Sequence, residues 1–156
     1  MRRNLRRWVH RSRAIQELLD TERTYVKGLS TLIKKYQEPL AASGMLPASD
    51  VTTLFGNVDT VWNVNATLLI QLECMLGSGS PFLWPGRTCH VLKADVTYHP
   101  CVCLGEILLS LLPFLKTYTP YFTNFNASTA VYKNLVAKNS AFNSFVQETM
   151  NDTMGL

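Results

Sequence analysis

Glu22 is the residue whose position most invites a chemical reading. Ile15 and Leu29 lie seven residues to either side of it, so all three fall on one helical stripe. A carboxylate in an apolar stripe has three outlets: an internal ion pair, a wet edge, or a partner that supplies donors. Arg23 and Lys27 are the nearby cations for the first, and exposed helical carboxylates are common. Spacing alone leaves the three open.

Other chemical constellations are thin. There is no Gly-rich phosphate loop, no His-Glu-x-x-His and no Gly-x-Ser-x-Gly. Cys89-His90 and His99-x-Cys101-x-Cys103 have ligand types that suit zinc. Their spacing fits no standard structural site, so scattered thiols in a loop are the expectation, with no metal and no cofactor. Three Asn-x-Ser/Thr sequons start at Asn65, Asn126 and Asn151. Asn65 falls on an apolar seam, where a glycan does not fit, and all three read as chance.

Six arginines (Arg2, Arg3, Arg6, Arg7, Arg11 and Arg13) and no acid occupy residues 1–13. The remaining nine basic residues face 11 acidic ones, a formal −2, so the net charge of +4 belongs to the arm. Three partners suit such an arm: an anionic membrane surface, nucleic acid or an import receptor. An acid-free, Arg-rich start also looks like a mitochondrial presequence. A plain solvated tail is the blandest reading. A nucleic-acid-binding domain spreads its basic residues over a folded face, which the body does not offer, so no nucleic acid is expected.

The elements that must position these residues are helical. Apolar gaps of 3, 4 and 7 run from about Ala14 to Glu38, where Pro39 is expected to stop a helix roughly 37 Å long. Ser49 or Asp50 offers an N-cap for a second helix, ending near Glu73. Its seam of Leu54, Val58, Val61, Asn65, Leu68 and Leu72 alternates 4 and 3, as helix bundles do. Residues 74–103 hold all four cysteines and repeated Gly and Pro breaks, and read as a peripheral insert. Helical patterning returns from Leu104 to Phe125, with Pro113 and Pro120 as interruptions, and again from Ser128 to Thr149, with a break near Lys138-Asn139. Residues 151–156 read as a frayed tail. No strand alternation appears, so the expected class is all-α, an elongated helical bundle.

Composition agrees. A chain of 156 residues, 47% hydrophobic and 17% charged, suits one domain or a large piece of one. No apolar run reaches the roughly 20 residues of a membrane span. Residues 1–19 lack the apolar stretch of a secretory signal, which makes a cytoplasmic location the expectation and free thiols the reading of the cysteines.

Several blocks together resemble one family. Leu19, Thr21, Glu22, Tyr25 and Leu29 match the Leu-x-Thr-Glu-x-x-Tyr-x-x-x-Leu core of the Dbl-homology domain of Rho guanine-nucleotide exchange factors. The resemblance continues through Tyr36-x-x-Pro39-Leu40 and Leu54-Phe55-Gly56-Asn57-Val58. It resumes at Leu104-Gly105-Glu106-Ile107, at Pro113-Phe114-Leu115-Lys116-x-Tyr118-x-x-Tyr121 and at Lys138-Asn139-x-x-Phe142-x-x-Phe145. It implies a partial domain over residues 14–150 with the insert at 74–103, a basic arm at 1–13, and a Rho-family small GTPase as partner. It implies exchange without covalent chemistry: the protein stabilises the nucleotide-free GTPase by remodelling its switch loops. Glu22 matches the family glutamate that contacts the first switch; Thr21 and Tyr25 are secondary GTPase-binding candidates.

The family's third region, with its Pro-x-Gln-Arg core, has no counterpart here. Two expectations follow. Leu111, Phe114, Leu115, Phe142 and Phe145 need partners from helices outside the sequence, and the isolated chain exchanges nucleotide weakly. The rival class is a non-catalytic helical interaction module that keeps the fold pattern alone.

Overall fold

The computed structural model describes residues 2–75 and 104–154. The insert with Cys89, His90, His99, Cys101 and Cys103 lies outside the described residues apart from its first two, Cys74 and Met75, which extend a helix. Among the described residues there are helices and turns and no strand. They are α1 (Arg2–Thr31), α2 (Glu38–Ser43), α3 (Ala48–Phe55), α4 (Val58–Met75), α5 (Leu104–Leu111), α6 (Tyr118–Thr123), α7 (Phe125–Lys138) and α8 (Ser140–Met154). None is long and apolar enough to cross a membrane.

Where the helices end departs from the sequence pattern in ways that have local causes. Pro39 does not stop the first helix. The wide π turn Leu32–Gln37 leads straight into α2, which holds Pro39 in its first turn. Proline lacks an N–H and crowds the carbonyl four residues back, and a turn that bonds five residues back accommodates both. The chain then turns at Gly44, whose φ of +63° needs no Cβ. The second expected helix is two: Gly56, at φ +55° and ψ −131°, separates α3 from α4. Pro47, rather than Ser49 or Asp50, precedes α3. Pro113 sits in the 3-10 stretch Leu112–Thr117, and Pro120 in the first turn of α6. The break near Lys138-Asn139 is present. Asn139 is extended there, and its Oδ1 accepts the Phe142 N–H at 3.0 Å, capping α8. Helix α8 continues past Thr149 to Met154, and α1 begins at Arg2 rather than near Ala14.

The described chain forms two compact units. Among the described residues, one comprises 2–26, 63–75 and 104–114. Its core is Leu19, Leu68, Leu72 and Leu111, with Leu18, Val64, Leu69, Leu104 and Ile107 packed against it. The other comprises residues 27–62 and 115–154 and centres on Leu29, Ile33, Leu40, Val51, Phe55, Val58, Val61, Leu135 and Phe142. In this second unit α3 lies along α7. Two side chains fasten them: Asn124 Nδ2 donates to the Thr53 carbonyl and Ser128 Oγ to the Leu54 carbonyl, both at 2.7 Å. Asn57 Nδ2 donates to the Thr117 carbonyl at 2.9 Å. The bonds to Thr53 and Leu54 satisfy carbonyls left over at the Gly56 break, and the Asn57 bond satisfies one just before α6.

The expectation of unpartnered aromatics holds only in part. Leu111 and Phe142 are buried and Phe145 packs on the core, so the chain supplies their partners itself. Phe114 and Leu115 are about half exposed.

Candidate functional site

Helix α1 places Glu22 where the stripe predicts. Ile15 and Leu19 before it, and Leu29 and Ile33 after it, are all buried. Glu22 therefore stands between buried members of the stripe, in a stretch where Val26 is half-buried and Tyr25 exposed. Its side chain is half-buried, and Oε2 is fully enclosed without a hydrogen-bond partner among the described residues. Burial pushes its carboxyl above the ordinary value of 4.5, because desolvation disfavours the charged form.

The ion-pair outlet is closed by another contact. Arg23 turns away from Glu22 and places Nε 2.9 Å from Glu73 Oε1 on α4, with Nη1 3.4 Å from Asp20 Oδ1. Adjacent helical residues sit about 100° apart, so Arg23 and Glu22 do not face each other. Among the described residues neither Arg23 nor Lys27 forms a salt bridge with Glu22. The Glu73 side chain is only 8% exposed, and a buried carboxylate needs such a partner.

Thr21 and Tyr25 stand together, apart from Glu22. Both line a shallow, open depression on the outward side of α1, with Gln16, Glu17, Asp20, Thr24 and Arg13. Thr21 Oγ1 lies 2.8 Å from the carbonyls of Glu17 and Leu18 and donates back to its own helix. Tyr25 is 40% exposed, so it is not the core residue that its aromatic type allows. By helical geometry Glu22 lies about 100° around the helix from Thr21 and about 60° from Tyr25.

The order of these features along the chain matches a known family. The sequence model of the RhoGEF domain matches residues 14–155. The chain belongs to the RhoGEF domain family.

Members of this family are exchange factors for Rho-type GTPases and do no covalent chemistry. The chain is 29% identical over 147 residues to protein vav-1 of Caenorhabditis elegans, spanning 91% of this chain and 13% of that protein. It is 34% identical over 107 residues to the mouse FERM, ARHGEF and pleckstrin domain-containing protein 2, spanning 69% and 9%. It is 27% identical over 156 residues to Rac guanine nucleotide exchange factor B of Dictyostelium discoideum, spanning 92% and 13%. The chain thus spans about a tenth of the length of each of these relatives.

Sequence reasoning missed the Arg23–Glu73 pair. Fifty residues separate the two, and the only local signal was Arg23 beside Glu22, which suggested the wrong carboxylate.

Proposed function

We propose that this chain engages the first switch of a Rho-family small GTPase and promotes release of its bound guanine nucleotide. Glu22 accepts hydrogen bonds from backbone N–H groups of that switch, and Thr21 and Tyr25 contribute to the same contact from the outward side of α1. The observation that carries this reading is the half-buried Glu22 carboxylate, which makes no salt bridge and leaves Oε2 without a hydrogen-bond partner among the described residues. An unpartnered acceptor is costly inside one protein and is satisfied by donors from another.

The chemistry is differential binding. A protein that holds the nucleotide-free GTPase more tightly than the loaded form lowers the barrier to nucleotide release. A carboxylate aimed at switch backbone groups stabilises the remodelled loop and contributes nothing to a GTPase whose switch is pinned by nucleotide.

The test is the affinity of the chain for a panel of Rho-family GTPases, nucleotide-free and GDP-loaded. The expected result is preference for the nucleotide-free form of at least one of them. Glu22→Ala should weaken that complex by about 2–5 kcal/mol, or roughly 30- to several-thousand-fold. Equal affinity for both forms would support the rival reading, a helical interaction module without exchange activity. No effect of Glu22→Ala would remove Glu22 from the site.

A further inference from the structure

Glu73 is out of keeping with its surroundings. It follows Leu69 by one turn on α4, beside Leu72, where Leu68, Leu69 and Leu72 gather with Leu19 of α1 in one core. Its side chain is 8% exposed. An apolar residue at this position would extend the core with no charge to desolvate, whereas a buried carboxylate needs a bonded cation. Arg23 is that cation, with Nε 2.9 Å from Glu73 Oε1. Buried ion pairs add little net stability over apolar contacts of the same volume, and the use best attested for them is to fix one register among several. Apolar contact tolerates sliding and rotation; a hydrogen bond of set length and angle does not.

What this pair fixes is the rotation of α1. At 100° per residue, Arg23 stands about 40° to one side of Leu19 and Glu22 about 60° to the other. Tyr25 and Thr21 follow on the Glu22 side, at about 120° and 160°. Glu22 thus occupies the border between the α1 face that buries Leu19 and the outward face that carries Tyr25 and Thr21. Arg23 holds the opposite border. A roll of α1 in one sense turns Glu22 into the core, and a roll in the other drives the guanidinium toward the leucines. Side chains lie roughly 5 Å from the helix axis, so a roll of about 20° moves them by about 2 Å. That is enough to break the 2.9 Å bond to Glu73. The contact of Arg23 Nη1 with Asp20 Oδ1 at 3.4 Å braces the guanidinium from a second side.

We propose, resting on the GTPase contact assigned to Glu22, that Arg23 is a positioning residue for nucleotide exchange. Tied to Glu73 and Asp20, it sets the rotation of α1 at which the Glu22 carboxylate faces the GTPase. It acts through Glu22 and needs no contact of its own with the partner. Misplacing a reacting or binding group by about 1 Å can cost about a hundredfold, and a roll of about 10° is enough for that displacement.

The test places the change at Glu73, whose enclosed side chain offers almost no surface to a partner. Affinity of the full chain for a nucleotide-free and a GDP-loaded Rho-family GTPase is measured per folded molecule, with the folded fraction taken from circular dichroism. Glu73→Leu keeps the site filled and removes the directional bond, and should weaken binding of the nucleotide-free form about 10- to 100-fold. Glu73→Gln still offers Arg23 an oxygen and should stay within about threefold of wild type. In a Glu22→Ala background, Glu73→Leu should cost no more than about a further twofold, because two changes that act through one group do not add. Arg23→Lys keeps the charge and loses the planar fork. It serves where Glu73→Leu does not fold, with a loss of about tenfold expected that disappears in the Glu22→Ala background. Full binding by Glu73→Leu would overturn the proposal. So would a loss of equal size with and without the Glu22 carboxylate. Both outcomes leave the GTPase reading standing. A wild type with no preference for the nucleotide-free form would remove that reading itself, and the role of Arg23 with it.

Discussion

Replacing Glu22 by glutamine should stabilise the fold. The wild-type carboxylate holds one oxygen enclosed without a donor, and no cation pairs with it among the described residues. An unsatisfied buried acceptor costs about 1–3 kcal/mol. Glu22 is half in water, which screens its charge, and glutamine removes the charge while leaving a neutral oxygen in place. The expected gain at pH 7 is therefore about 0.5–1 kcal/mol, or roughly 1–4 °C in melting temperature for a chain of this length. The sign reverses the usual behaviour of a paired acid. Burial raises the folded-state carboxyl above its ordinary 4.5, so the folded state binds its proton more readily than the unfolded state. The wild type carries the full penalty above the raised value, loses it as pH falls toward 4.5, and equals the glutamine variant below that. Thermal denaturation followed by circular dichroism at pH 7 and near pH 4 reads this difference. A melting temperature several degrees lower for Glu22→Gln at pH 7 would refute the reasoning, because it would mean that the carboxylate has an internal partner.

Glu73→Ala removes the buried end of the pair with Arg23, which sits at 2.9 Å. It should cost about 1.5–3 kcal/mol, the range for a charged hydrogen bond, since Arg23 is exposed enough to be resolvated; chemical denaturation checks this. Gly56→Ala should destabilise by about 1–3 kcal/mol. The glycine's backbone is one that L side chains rarely adopt, and an added Cβ would stand 3.0 Å from Asn124 Nδ2. Loss of the Asn124–Thr53 bond should show as faster amide exchange at the ends of α3 and α7.

Periodicity carried most of the fold. Val58, Val61, Asn65, Leu68 and Leu72 are buried, as their alternating spacing indicates. The same regularity hid the break at Gly56, because Leu54 and Val58 keep their 4-residue step across it, and a break in backbone need not break the seam. Pro39 misled in the opposite sense: a proline is a stop only where the preceding turn cannot widen. The site was legible to the extent that it is local. Glu22 stands out because its neighbours seven residues away are buried hydrophobics. Which cation belongs to which carboxylate depends on α4 packing beside α1, and no spacing rule reaches from Arg23 to Glu73. The exposure of Phe114 and Leu115, against the burial of Phe142, likewise follows from tertiary neighbours and not from residue type.

The most direct measurement compares wild type and Glu22→Gln in two readouts on the same preparations: affinity for a nucleotide-free Rho-family GTPase, and melting temperature. A carboxylate kept for a partner predicts opposite signs. Binding should weaken by about 2 kcal/mol or more, roughly 30-fold, while the melting temperature stays level or rises. A melting temperature that falls by several degrees, with binding per folded molecule unchanged, would contradict the account and make Glu22 a structural residue of the helical core.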